Sequence, residues 1–161
     1  MIAYLIGMPG CGKSTIGYRT AQKTGLPFVD VDRIITDAQK MSINEIFEKF
    51  GESHFRMLET HALREVSDSE NAIVATGGGI VLHNGNIDIM KKTGRIIYIN
   101  TPVETIIKQA SFSDRPLLRD DPDAIYAIYE ARHKIYTSCA DVILSFGKGI
   151  VDTIITEINS F

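Results

Sequence analysis

An α/β fold with a mainly parallel sheet is the class this sequence predicts. Two observations carry that reading. Short β-branched or aromatic runs alternate with longer stretches of helical periodicity, and strand–helix alternation builds parallel sheets. The first run, Ile2–Ile6, leads straight into Gly7-Met8-Pro9-Gly10-Cys11-Gly12-Lys13-Ser14. That is the phosphate-binding pattern G-x-x-x-x-G-K-[ST] in its strand–loop–helix context. At 161 residues, with no internal repeat and no linker, the chain is expected to form a single domain over 1–161.

The predicted strands are Ile2–Ile6, Pro27–Asp30, Ala72–Thr76, Arg95–Asn100 and Ala140–Leu144. The first, third and fourth carry apolar residues continuously, as strands covered on both faces do. The predicted helices are Lys13–Thr24, Val31–Lys40, Ser42–Ser67, Gly85–Thr93, Pro102–Gln109 and Pro122–Tyr136, with one more over Ile150–Ile158. Apolar positions recur three to four apart in them; in the third these start with Ile43, Ile46, Phe47 and Phe50. Ser42 followed by Glu45 is a capping-box pattern that starts that helix. Ligands of open parallel sheets bind beyond the carboxyl ends of the strands, so the residues just after each strand matter most.

Composition narrows the function. Seventeen Lys and Arg against twenty Asp and Glu give a net charge of −3, so no basic excess points to nucleic acid or an anionic membrane. Met1 to Met8 has no basic leader, so no signal peptide is expected, and no run reaches the ~20 apolar residues of a membrane span. Cys11 and Cys139 are the two cysteines, too few for a disulfide framework; a reducing cytoplasm is expected.

In the phosphate loop, Gly10, Gly12 and their neighbours turn backbone N–H groups toward a phosphate, and the helix that follows adds its positive end. Lys13 is expected to reach phosphoryl oxygens, and Ser14 to place its hydroxyl on Mg²⁺. Cys11 is either a small filler side chain or a thiol activated by the helix N-terminus. The loop alone predicts a nucleotide, not a reaction. The chain's size favours a kinase or a minimal GTPase, and no N-K-x-D guanine signature is present.

Further candidates follow the other strands. Asp30 and Asp32 fall on one side of the chain after the second strand; they are either a Mg²⁺ and base pair or a solvated helix N-terminus. Arg56 stands three before Glu59, which either fixes the guanidinium or forms a surface ion pair. Gly77, Gly78 and Gly79 follow Thr76 and allow close backbone approach to a ligand, or form a plain turn. Arg115 lies in the polar connector 110–121, the length of a lid, where an arginine would close on the γ-phosphate. Arg132 sits within a helix, four before Tyr136, as a ligand or on a solvated face. The four histidines match no zinc spacing.

Together these pieces resemble the shikimate kinase family over nearly the whole chain. The series is Gly7–Thr15, Asp30-Val31-Asp32, Ser42 to Phe47, Gly51-Glu52 with Phe55-Arg56 and Glu59, Thr76–Gly79, Arg115-Pro116-Leu117-Leu118, and Arg132 with Tyr136. The resemblance implies a three-layer P-loop kinase fold: a five-stranded parallel sheet ordered 2-3-1-4-5, flanked by helices. It implies a lid at about 110–121 and a helical substrate-binding subdomain at about 31–59. It implies transfer of the ATP γ-phosphoryl to the 3-hydroxyl of shikimate, with Mg²⁺, by a monomer. Lys13, Asp30 and Arg115 would be catalytic, and Ser14 and Asp30 would hold the metal. Gly10, Cys11, Gly12, Lys13, Ser14, Thr15, Lys108 and Arg115 would bind ATP. Asp32, Arg56, Gly77, Gly78, Gly79 and Arg132 would hold shikimate, with Phe47 and Phe55 lining its apolar wall.

Departures from the family pattern are Tyr18 ahead of Arg19, read as structural, Lys108 where an arginine often stacks on adenine, Ser111-Phe112-Ser113 in the lid, and Pro9 in the loop. Two rival readings are a gluconate-type metabolite kinase and a catalytically silent relative that only binds.

Overall fold

The computed structural model describes residues 1–109, 118, 121 and 123–160. Five parallel strands, β1 (Ile2–Ile6), β2 (Phe28–Asp30), β3 (Ala72–Ala75), β4 (Gly94–Asn100) and β5 (Val142–Ser145), form one sheet in the order β2-β3-β1-β4-β5. That is the expected order. β1 is central, and all five of its residues are buried, so both faces of the sheet are covered. β5 lies at one edge and alternates between half-buried and exposed residues.

Helices α1 (Lys13–Thr24), α2 (Val31–Gln39), α3 (Ile43–Phe50), α4 (Glu52–Ser67), α5 (Asn84–Thr93), α6 (Val103–Gln109), α7 (Ala124–Cys139) and α8 (Ile150–Asn159) complete the described elements, with a 3₁₀ turn at Ile80–Leu82 that sequence periodicity did not reveal. α1 packs with α8, α4 with α2, α3 and α5, and α7 against β4 and the 3₁₀ turn. Gly17 allows α1 to lie close on the sheet, since a Cβ there would come within 2.7 Å of the Phe28 ring. No helix among the described residues is long and apolar enough to cross a membrane.

The single helix expected over Ser42–Ser67 is two. The capping box at Ser42 and Glu45 forms as predicted. The helix then breaks at Gly51, with φ 85° and ψ 171°, a conformation essentially restricted to glycine. The Gly51 N–H closes α3 on the Phe47 carbonyl, and its own carbonyl accepts from Phe55 N–H at the start of α4. The apolar spacing continues across the break, so periodicity did not show it. The break redirects the chain so that Phe47 of α3 and Phe55 of α4 meet, their rings 4.9 Å apart. Gly51→Ala is expected to destabilise the protein by about 1–3 kcal/mol, a fall in Tm of roughly 3–10 °C in thermal unfolding; an unchanged Tm would show that this joint carries no strain.

Candidate active site

The phosphate loop is held in shape by its own residues. Gly7, Gly10 and Gly12 have φ of 148°, 75° and 101°, values that side chains avoid. Lys13 is buried and folds back over the loop, its Nζ donating to the carbonyls of Gly7 at 2.9 Å and Met8 at 2.8 Å and lying 3.6 Å from Cys11 Sγ. Thr101, just after β4, donates its hydroxyl to the Cys11 carbonyl, and Cys11 itself is buried. A cleft of about 430 Å³ opens beside the loop. Gly10, Gly12, Lys13, Ser14 and Thr15 line it on one side, and Gln109, Phe146 and Gly147 are among the residues opposite.

Asp30 performs two tasks. It caps α2 by accepting from the N–H groups of Asp32 and Arg33, and its other oxygen accepts from Ser14 Oγ at 2.5 Å. A short bond of this kind is charge-assisted. It brings a hydroxyl and a carboxylate together as hard oxygen donors, which is the chemistry a Mg²⁺ ion requires.

The second cavity lies across Pro9 from the loop. Asp32, Arg56, Glu59, Gly77, Gly78, Gly79 and Arg132 supply its polar lining, and Pro9, Ile43, Phe47, Phe55 and Leu118 its apolar lining. Arg56 donates to Glu59 Oε2 at 2.6 Å and to Glu52 Oε1 at 3.1 Å. Glu59 is only 1% exposed, so this is no surface ion pair. Burial raises the Glu59 carboxyl to about 7; Arg56 opposes the shift and Asp32 adds to it. Burial works against charge on Arg56, but Glu59 and Glu52 outweigh it and hold the guanidinium above its ordinary value.

The glycine run takes its meaning here. A Cβ at Gly77 would sit 2.9 Å from Asp32 Oδ1 and closer still to Glu59 Oε1. A Cβ at Gly78 would sit 2.8 Å from Pro9 Cδ, and one at Gly79 2.5 Å from Arg56 Cζ. All three glycines are buried, and none has a positive φ. The requirement is for space rather than backbone freedom.

The structure thus gathers Asp32, Arg56, Gly77, Gly78, Gly79, Arg132, Phe47 and Phe55 around one cavity, as the sequence suggested. Lys108 is exposed on α6 and does not line the nucleotide-side cleft; its neighbour Gln109 does. Arg115 and most of the predicted lid lie outside the described residues. Arg19, expected to be structural, also lines the cleft. Phe146 and Gly147 were missed, although the rule that ligands bind beyond strand ends covers them, since they follow β5 directly. Pro9 as a wall of the second cavity had no local signal.

Comparison with known proteins places these features in a family. The family model described as shikimate kinase matches residues 9–161. A protein named shikimate kinase from Clostridium botulinum (strain Alaska E43 / Type E3) is 40% identical over 156 residues, covering 96% of this chain and 93% of that one. The solved structure of shikimate kinase from Acinetobacter baumannii in complex with shikimate is 31% identical, with a TM-score of 0.93 over 99% of this chain and 93% of that chain. The shikimate kinase structure from Aquifex aeolicus is 35% identical, with a TM-score of 0.86 and coverage of 99% and 97%.

Glu59 makes stability depend on pH in an unusual sense. Its carboxyl moves from an ordinary 4.5 to about 7 on folding, so in that window the folded chain keeps a proton that the unfolded chain releases, and stability falls as pH rises. Thermal unfolding from pH 4.5 to 7 is expected to show wild type losing stability relative to Glu59→Gln, with most of the change complete by pH 7. Parallel curves for the two proteins would remove Glu59 as the titrating group.

Proposed function

This chain belongs to the shikimate kinase family, and from that premise we propose that it transfers the γ-phosphoryl group of ATP to the 3-hydroxyl of shikimate, releasing ADP. The observation that carries the reading is the convergence of Arg56, Arg132 and Asp32 on one cavity that shares Pro9 with the phosphate loop. A small anionic polyol calls for that inventory: guanidinium forks for its carboxylate and a carboxylate acceptor for its hydroxyls.

Each residue then has a task. Arg56, already oriented by Glu59 and Glu52, grips the substrate carboxylate together with Arg132. Asp32 accepts from the ring hydroxyls, and the Gly78 and Gly79 backbone closes one side. Phe47 and Phe55 offer an apolar wall to the ring. Lys13 exchanges its Gly7 and Met8 carbonyl partners for phosphoryl oxygens, where the loop N–H groups and the start of α1 add positive potential. The acceptor oxygen bonds to phosphorus as the bond to departing ADP breaks, and the hydroxyl proton leaves toward Asp30. Ser14 and Asp30 are the residues that would hold Mg²⁺, which when bound neutralises charge on the phosphates. Arg115, in the connector 110–121 read as a lid, supplies further positive charge, and 31–59 forms the acceptor-binding unit. Catalysis is mainly positioning and charge stabilisation.

The protein acts as a cytoplasmic monomer without a nucleic-acid partner, a reading supported by two buried free cysteines and a net charge of −3.

ADP release with ATP and Mg²⁺ is the test, comparing shikimate, quinate, gluconate and nucleoside monophosphates. Shikimate alone is expected to stimulate it, and EDTA to abolish the stimulation. Stimulation by gluconate instead would keep the kinase and overturn the pocket; ATP binding without any stimulation would favour a silent relative. Lys13→Ala is expected to lower kcat by roughly 10²–10³-fold. Arg132→Ala is expected to raise the shikimate KM by roughly 10–100-fold, the equivalent of one charged hydrogen bond; an unchanged KM would remove Arg132 from the clamp.

A further inference from the structure

Tyr136 is not needed for any of the tasks above, yet it joins the two halves of the site. Its phenol is fully buried on α7 and donates a 2.5 Å hydrogen bond to the carbonyl of Gly78. Arg132 stands one turn earlier on the same helix, is buried, and lines the same cavity as Gly78. One helix thus carries both the Arg132 guanidinium and the phenol that grips the Gly78 carbonyl.

The link does not stop at Gly78. That residue's Cα lies so close to the Pro9 ring that a Cβ would come within 2.8 Å of it, and Pro9 belongs to the phosphate loop. Behind the phenol stands the ring of Tyr98, also buried, with centroids 5.0 Å apart and planes at 30°. The Tyr98 ring in turn reaches the loop's first residue, 3.6 Å from where a Cβ on Gly7 would sit. Tyr136 is therefore packed on one side and bonded at its tip. It has no room to change rotamer without disturbing the loop.

We propose that Tyr136 is a positioning residue for phosphoryl transfer: by tying α7, the helix that carries Arg132, to Gly78 and through it to Pro9, it fixes the acceptor clamp against the phosphate loop. The inference rests on the shikimate kinase reading, since it assigns Arg132 to the acceptor's carboxylate. An arginine has several rotatable bonds and spends much of its freedom when held. The Tyr136–Gly78 bond anchors the helix one turn away and so sets where the Arg132 guanidinium is presented before substrate arrives. Because the same phenol holds Gly78, the clamp and the loop keep one separation, and that separation sets the approach of the acceptor oxygen to phosphorus. A misplacement of about 1 Å costs on the order of 10²-fold in rate.

The experiment compares steady-state kinetics of wild type, Tyr136→Phe, Arg132→Ala and the double variant, with folding checked by circular dichroism. Tyr136→Phe keeps the ring and removes the hydrogen bond to Gly78. It is expected to lower kcat/KM for shikimate by 10- to 100-fold and to leave the KM for ATP within twofold. ADP formed per shikimate phosphorylated should rise, because a misplaced acceptor loses ground to water. In the Arg132→Ala background the same change should cost less than threefold, since the phenol acts through Arg132. Wild-type kcat/KM in folded Tyr136→Phe would overturn the proposal. So would an equal loss toward ATP, or a full multiplicative loss in the double variant, either of which marks a general packing role. Should Tyr136→Phe not fold, Pro9→Ala tests the other end of the line from outside the core: a fall in kcat/KM for shikimate with the ATP KM kept supports the proposal, and wild-type values for both overturn it. A wild type inactive on shikimate would sink the functional reading and this inference together, whereas an active wild type with an unaffected variant sinks this inference alone.

Discussion

Three absent Cβ atoms hold the acceptor side of this site together. Gly77 gives its space to the Glu59 and Asp32 carboxylates, Gly78 to the ring of Pro9, and Gly79 to the guanidinium of Arg56. These groups come from α4, α2 and the phosphate loop. The run sits at the end of β3, next to β1 in the sheet, so the strand that delivers the acceptor pocket adjoins the strand that delivers the phosphate loop. Thr76, whose hydroxyl donates to the Leu5 carbonyl, ties the two strands just before they part. A methyl group at any of the three glycines would push a charged or loop element out of line, so these constraints are felt by both substrates at once.

The electrostatics of the pocket follow from that crowding. Arg56 is shared between a buried carboxylate, Glu59, and a half-exposed one, Glu52, whose side chains are 1% and 47% exposed. A buried ion pair is weak evidence of stability, because desolvation offsets much of its attraction. Its use here is orientation: a guanidinium fixed on two sides presents its remaining edge in a set direction and needs little reordering when an anion docks. Glu59 bears the cost as a carboxyl that holds its proton to about 7. The phosphate loop shows the same economy, with Lys13 held by the carbonyls of its own loop rather than left to solvent.

Much of this was legible in the sequence, and the boundary between what was and was not has a physical basis. The phosphate loop spans eight consecutive residues, and its glycine and lysine spacing is imposed by local backbone geometry, so it could be read directly. Strands β1, β3 and β4 announced themselves by unbroken apolar runs because both their faces are covered. The Arg56–Glu59 pair could be read because three residues on a helix are neighbours in space; its burial could not, since Asp32 of α2 and the glycines after β3 that lie against it are distant in sequence. The break at Gly51 was hidden because apolar spacing runs on through it, and a glycine within a helical pattern is tolerated at modest cost. The bond from Tyr136 to Gly78 spans 58 positions, and Pro9 meets Gly78 across nearly 70; neither leaves a local trace. The family resemblance supplied roles for single residues, but not the contacts between them.

The pocket also explains why a shared scaffold can serve a narrow acceptor. Phosphate loops of this kind hold the same triphosphate in proteins of many functions, so choice must come from the acceptor side. Two guanidiniums alone would accept any small carboxylate, open-chain sugar acids included. On the proposed reading the choice is narrowed by the apolar lining, where Phe47 and Phe55 meet at 4.9 Å with planes tilted by 46° and Ile43 and Leu118 add to the apolar surface. An open chain of hydroxyls laid on that wall would leave polar groups desolvated without partners, at a cost of about 1–3 kcal/mol each. A rigid ring with its hydroxyls on one edge and its carboxylate on another avoids that cost and loses little entropy on binding. The chain turns at Gly51 and brings the two helices into contact, so on that reading a single glycine outside the glycine run links the fold of α3 and α4 to the selection of a cyclic acid.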